Sequence, residues 1–268
     1  MATDQTAICN LALYRMGQST VDDAITGTSA LEVKCAALYS QARDELETEG
    51  PELGWKFCRR RYNGIDREEF TIASIAQSTT DTDDITVTGT HTLGVGDMVT
   101  LDDTEYDDDY VVNVISTTAS FDVTADFDAT DTGTAYWTSE QYAYRYLIPT
   151  TPTVLRVASV QVGGIEVPDW IQEGGYILTN MESSEVDMII VQQITTTTKF
   201  PPHFTKALYL KLAVELTYNI TQDLKSAQII FQDYMLALDK AIAMDERGKY
   251  NQESSQSWQQ VGNTMEIE

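Results

Sequence analysis

Two spacings of apolar residues take turns along the chain, one of three to four residues and one of two. Near the start, Ile8, Leu11, Ala12 and Arg15 share one face of a short helix, and Gly17 supplies its stop. A second helix opens at Ser29 with Glu32 three residues on, the spacing of a capping box, and carries the stripe Leu31, Cys35, Leu38, Ala42 and Leu46 up to Gly50-Pro51. The stretch WKFCRRRY, Trp55 to Tyr62, comes next and can be read as a strand or as a short helix. From Glu69 to Thr138 the period drops to two, and DITVTGT, DMVTL, YVVNVIS, SFDVTA and TAYWT predict five or so strands divided by Gly and Asp turns.

Strands continue beyond that segment. YAYRYLIP alternates Tyr142, Tyr144 and Tyr146 on one face, VLRVASVQVGGIEVPDW holds a hairpin at Gly163-Gly164, and GYILTN and VDMIIVQQI add two more. Helical spacing then returns. Pro201-Pro202 opens a helix with Phe204, Leu208, Leu212, Leu216 and Ile220, and a turn at 221–223 leads to a partner marked by Ala227, Phe231, Tyr234, Leu238 and Ile242. The two predict an antiparallel hairpin whose first helix is apolar enough to be covered on more than one side.

Charge divides the same chain differently. The formal net charge is −25, yet residues 68–138 hold 16 Asp and Glu with no Lys or Arg, whereas residues 1–67 hold eight basic and ten acidic side chains. A step of this kind marks a separate module set into a more ordinary framework. The expected organisation is a helical part at 1–67, an acidic all-β module at 68–138, a framework β region at 139–200, a helical hairpin at 201–249 and an extended docking tail at 250–268. The expected class is α+β: a four-helix bundle framework with a β-sheet region and an inserted small all-β domain, barrel-like or sandwich-like.

Reactive chemistry is sparse in the sequence. His91 and His203 are the two histidines, and neither has a Ser, Cys or second His at a catalytic spacing, so both read as structural. LDDTEYDDDY at 101–110 is dense in carboxylates but lacks the glycine and glutamate places of a calcium loop, and reads as a solvated acidic loop. Cys9, Cys35 and Cys58 show no metal spacing and read as free buried thiols. No catalytic residue, cofactor or metal site is expected. No apolar run reaches the roughly 20 residues of a membrane span, so the chain reads as soluble and intracellular at synthesis. The acidic balance leaves no basic surface to bind DNA phosphates, though it would let DNA pass without sticking.

The order of the framework motifs resembles the tail tubular protein A and head-tail adaptor family of short-tailed bacteriophages. The matching runs are AICNLALYRMG, then CAALYSQARDELETEGPELGWKF with Tyr39, Ala42, Arg43, Asp44, Leu46, Trp55 and Phe57, then YRYLIP with Tyr146 and Pro149, then GYILTN, and FPPHFTKAL from Phe200 to Leu208. Within the acidic segment, His91, Leu93, Gly96, Asp97, Val99, Tyr110, Val112 and Phe121 resemble a small β domain of phage structural proteins, named for the first catalytic cysteine half-domain of ubiquitin-activating enzymes. The resemblance implies a structural protein of the virion neck, assembled in the host cytoplasm and without catalytic activity. It implies a ring, typically of about twelve copies, between the portal protein and a downstream tail or nozzle protein, with double-stranded DNA passing through unbound and no membrane partner. The alternatives from other classes are a virion-associated hydrolase of cell-wall glycan acting through paired carboxylates, and a carbohydrate-binding tail protein displaying Tyr106, Tyr110 or Trp137.

Four residues are singled out for contact with partners: Arg59, Arg60 and Arg61, and Trp258 in the polar C-terminal stretch. The arginines can balance local charge at Asp66, Glu68 and Glu69, cross a subunit boundary to meet a neighbour's carboxylates, or touch passing DNA.

Overall fold

A computed structural model describes residues 4–221 and 223–247 of the chain. It holds four α-helices, α1 (Gln5–Arg15), α2 (Ala30–Thr48), α3 (Pro202–Ile220) and α4 (Leu224–Glu246). Between α2 and α3 run fourteen strands: β1 (Arg59–Asp66), β2 (Glu69–Ile72), β3 (Ser74–Gln77), β4 (Asp84–Thr88), β5 (Met98–Asp102), β6 (Asp108–Thr117), β7 (Ser120–Thr124), β8 (Gly133–Thr138), β9 (Tyr144–Leu147), β10 (Val154–Val162), β11 (Ile165–Glu166), β12 (Trp170–Glu173), β13 (Tyr176–Thr179) and β14 (Glu185–Gln192). The sheets have the orders β1-β14-β10-β11, β12-β13-β9 and β2-β8-β5-β6-β7-β4-β3.

This corrects the expected class. The chain is mostly β, and its helices do not form a four-helix bundle framework. The physical reason lies in what fills the space around α3. The helices α1, α2 and α4 each pack on it, but the same core takes in Trp55 and Cys58 from the segment before β1, Val191 from β14 and Ile194 beyond it. Strand and loop residues therefore close a core that helices alone were expected to close.

The contacts separate into two compact units, the first built from residues up to Arg60 with 151–158 and from Ile189 onward, the second from Arg61–Thr150 and Ser159–Met188. In the first, Phe204, Leu208, Leu212 and Leu216 of α3 are fully buried at the expected four-residue spacing. Pro202 opens α3, where its missing N–H costs nothing. The capping box of α2 forms as its sequence predicts, Ser29 Oγ accepting from Glu32 N and Glu32 accepting from Ser29 N. The hairpin of α3 and α4 is turned by the Asp223 cap, whose carboxylate accepts from Lys225 N at 3.0 Å.

The second unit contains the acidic segment. Its seven-stranded sheet begins with β2 and ends with β3, yet only Ala73 separates these two strands in the chain, so the ends of the sheet are drawn together into a nearly closed barrel. Ile72, Ile75, Ile85, Val87, Val99, Leu101, Phe121 and Val123 fill its interior. The buried Asp122 carboxylate accepts from the hydroxyls of Thr86 at 2.7 Å, Ser78 at 3.2 Å and Thr80 at 3.4 Å, which offsets the cost of burying it. The hairpin predicted at Gly163-Gly164 joins β10 to β11 with both glycines at positive φ, 57° and 81°, as a tight primed turn requires.

In the same unit, two arginines are held between aromatic rings. Arg67 lies 4.3 Å from the ring centre of Tyr136 and 5.4 Å from Tyr144, and Arg145 lies 4.9 Å from Trp137 and 4.7 Å from Tyr176 while pairing with Glu68. These contacts link β8 to the β9–β13 sheet by cation–π attraction as well as by charge.

Candidate functional site

The surface of the α3–α4 hairpin combines the properties a partner would use. α4 buries Ile230, Tyr234, Ala237, Leu238 and Ala241 against the first unit's core. Apolar side chains also stand on its other faces, among polar ones: Leu224, Ile229, Phe231, Met235, Leu236 and Met244 are all exposed, Leu236 by 70 % and Ile229 by 59 %. Phe231, expected on the buried face, is half exposed because Ile230 takes the position against α3.

Two grooves flank the hairpin seam. The larger, of about 810 Å³, runs between the start of α3 and the last three turns of α4, with Leu236 and Met244 in its wall and Arg15, Lys206 and Lys240 at its edge. The smaller, of about 410 Å³, is lined by Val214, Phe231 and Met235 together with Glu49 and Lys211. Polar contacts join the helices along both grooves. Lys211 Nζ lies 2.7 Å from Glu49 and 3.1 Å from Glu45, Tyr234 Oη donates to Glu49 at 2.6 Å, and Arg15 of α1 pairs with Asp233 of α4. Burial, followed by the Glu49 contact, pushes the Tyr234 phenol well above its usual range, so it stays a donor.

The arginine run occupies a different part of the fold. The strand starts only at Arg59: Trp55 to Cys58 form a turn closed by Cys58 N and Arg59 N on Trp55 O, at 3.1 and 3.0 Å. Trp55 and Phe57 therefore do not share a strand face with Arg59 and Arg61. Arg59 is half-buried, donating to the carbonyls of Leu53 at 2.9 Å and Gly54 at 2.8 Å, whereas Arg60 and Arg61 are exposed on β1. Of the carboxylates suggested as their local partners, Glu69 pairs with Arg67 and Glu68 with Arg145. Trp258 lies outside the described residues.

The remaining candidates take structural positions. His91 is buried against Phe70 and Phe121, with Nδ1 accepting from Leu93 N at 3.2 Å. His203 stands beside Trp55 at the start of α3, its Nε2 3.9 Å from Asp245. The 101–110 stretch, expected as a loop, is the end of β5, a turn at 103–107 and the start of β6; Asp107 accepts from Thr104 N and Asp109 from the Thr100 hydroxyl across the strand pair, and among the described residues no cluster of three His, Cys, Asp or Glu converges on a point. Cys9, Cys35 and Cys58 are free and buried, and burial pushes the Cys58 thiol up to about 12. Tyr106, offered as part of a sugar-binding platform, is a buried side chain whose hydroxyl donates to Ala129 O at 2.7 Å, and Trp137 is covered by Arg145. No helix among the described residues is long and apolar enough to cross a membrane.

Among the charged residues whose burial was not anticipated from the sequence are Arg43 and Glu47 of α2. Arg43 pairs with Asp44 at 2.7 Å, Asp44 accepts from Gln193 Nε2 at 2.8 Å, and the Glu47 carboxyl accepts from Ile194 N at 3.2 Å. Burial raises the Glu47 carboxyl to about 8, against the opposing pull of the Ile194 N–H and Arg43. This group lies in the core and lines neither groove. No protein-family model matches the chain, and no curated protein matches it.

Proposed function

We propose that this protein is a structural head-tail adaptor of a bacteriophage virion, assembling with copies of itself into a ring beneath the portal protein and continuing the DNA channel toward the next tail component. The observation that carries this reading is the apolar outer surface of α4. Six large apolar side chains exposed on one 23-residue helix exceed the scattered singles of an ordinary monomer surface and suit packing against another protein. The order of motifs resembling the adaptor family supports the identity of the assembly. A charge of −25 per subunit supports a strongly negative ring, along which DNA slides without being held.

Size-exclusion chromatography with light scattering, and negative-stain images of the protein with the portal of the same virus, test this reading. A cyclic ring is expected. The double substitution Ile229→Glu/Phe231→Glu is expected to abolish it while leaving the unfolding temperature within about 3 °C, because both side chains are already exposed. A protein that stays monomeric beside its portal overturns the proposal.

The exposed arginines enter the same assembly as candidate cross-subunit donors to carboxylates. Arg60→Glu/Arg61→Glu is expected to weaken ring formation by about tenfold or more in titrations at low salt. Arg59 is left in place because it ties down the 53–54 turn. Assembly unchanged by the double reversal removes the two arginines from the interface.

A further inference from the structure

The two grooves of the α3–α4 hairpin carry opposite charge. Among the described residues, the larger is edged by the cations Arg15, Lys206 and Lys240 against the carboxylate of Asp233. Arg15 takes up Asp233, which leaves the exposed Lys206 and Lys240 to set the sign of that face. The smaller groove reverses the balance: Glu49 and Glu215 line it with Lys211, and Lys211 also meets Glu45 beside it. Both keep an apolar wall, Leu236 and Met244 in the larger and Phe231 and Met235 in the smaller.

The grooves also open on different sides of the hairpin. At about 100° per residue, Lys206 and Glu215 of α3 point roughly 180° apart, and Leu236, Lys240 and Met244 point nearly opposite to Phe231, Met235 and Leu238 around α4. A contact between two copies of the larger groove would set Lys206 and Lys240 of one against those of the other, and a contact between two copies of the smaller would set carboxylates against carboxylates. Like charges so placed cost free energy, whereas basic groove on acidic groove pairs opposite charges around apolar side chains on both sides. Two unlike faces that point in opposite directions join copies head to tail, the kind of contact that closes into a ring.

We propose that each copy sets its larger groove, with Lys206 and Lys240, against the smaller groove, with Glu45 and Glu215, of the next copy. The pairing rests on the ring reading and names the two faces that meet in it. Leu236 and Met244 of one copy then lie against Phe231 and Met235 of its neighbour, and every copy presents one groove to each side.

Two charge-reversed forms of the full chain test the pairing under the conditions that give the parent ring. One carries Lys206→Glu/Lys240→Glu, the other Glu45→Lys/Glu215→Lys; Glu49 is left in place because it holds Lys211 and Tyr234. Each form alone is expected to lose ring formation by about tenfold or more, read by light scattering and negative-stain images. An equimolar mixture of the two is expected to recover most of it, because alternating copies then meet with opposite charges at every interface, an outcome that two misfolded proteins would not give. Rings formed by either reversed form alone as readily as by the parent overturn the pairing and leave the ring reading standing, as does a mixture that assembles no better than its parts. A parent that forms no ring overturns both.

Discussion

Replacing Trp55 by alanine is expected to cost about 3–5 kcal/mol, enough to lower the urea midpoint of the helical unit sharply when unfolding is followed by its helix signal. The side chain is fully buried, and its indole meets Phe204 edge-on at 5.4 Å between ring centres. Its Nε1–H donates to Leu46 O at 2.8 Å, one of the carbonyls in the last turn of α2 that has no partner within the helix. The alanine variant would lose the packing and leave that carbonyl buried without a donor, two penalties that add. Trp55→Phe keeps part of the ring contact and is expected to cost less, about 1–2 kcal/mol, with the lost hydrogen bond as the main share. Gly50 gives an independent check. A Cβ there would stand 2.2 Å from the indole nitrogen, so Gly50→Ala is expected to destabilise the same region. A Trp55→Ala midpoint close to that of the parent would mean that the indole is not central to the core.

The sequence revealed most where a local rule determines the outcome. The Ser29–Glu32 capping box, Pro202 at the first turn of α3 and the Gly163-Gly164 turn each rest on backbone chemistry within a few residues, and each is found. The five alternating strands from DITVT to TAYWT are present as β4 to β8. β2 and β3 escaped because EFTIASIAQ is divided by Ala73 into two four-residue pieces, too short for a period to show, and their pairing partners lie at opposite ends of the sheet. The exposed face of α4 escaped for the opposite reason. Ile229, Ile230 and Phe231 are consecutive and apolar, so spacing alone cannot choose which one faces α3. The arginine run was legible as a basic cluster but not as one anchoring and two exposed side chains, since the carbonyls that Arg59 binds come within its reach only once the 51–54 turn is made. The bundle expectation failed at the same level: helix spacing identifies helices, and only tertiary packing decides that Val191 and Ile194 complete their core.

Glu47 makes a prediction that helix spacing hides, because a glutamate four residues after an arginine reads as an exposed ion pair. In the fold it is buried, and its carboxyl is raised from an ordinary 4.5 to about 8. Below about pH 4.5 the group is protonated in both folded and unfolded chains, and the fold keeps its full stability with respect to it. As pH rises from 4.5 to about 8 the unfolded chain releases this proton and the folded chain retains it, so stability falls by up to about 1.4 kcal/mol per pH unit, on the order of 3–5 kcal/mol in all. Above about 8 the folded chain ionises as well and the slope disappears. Glu47→Gln cannot ionise, and its side-chain oxygen can still accept from Ile194 N, at the cost of a buried amide donor of about 1 kcal/mol. The variant is therefore expected to be equal to or slightly weaker than the parent at pH 5 and more stable by about 2 kcal/mol or more at pH 8.5, read from urea midpoints at the two pH values. Parallel pH profiles for the two proteins would show that Glu47 is already ionised in the fold, with Arg43 close enough to compensate its burial.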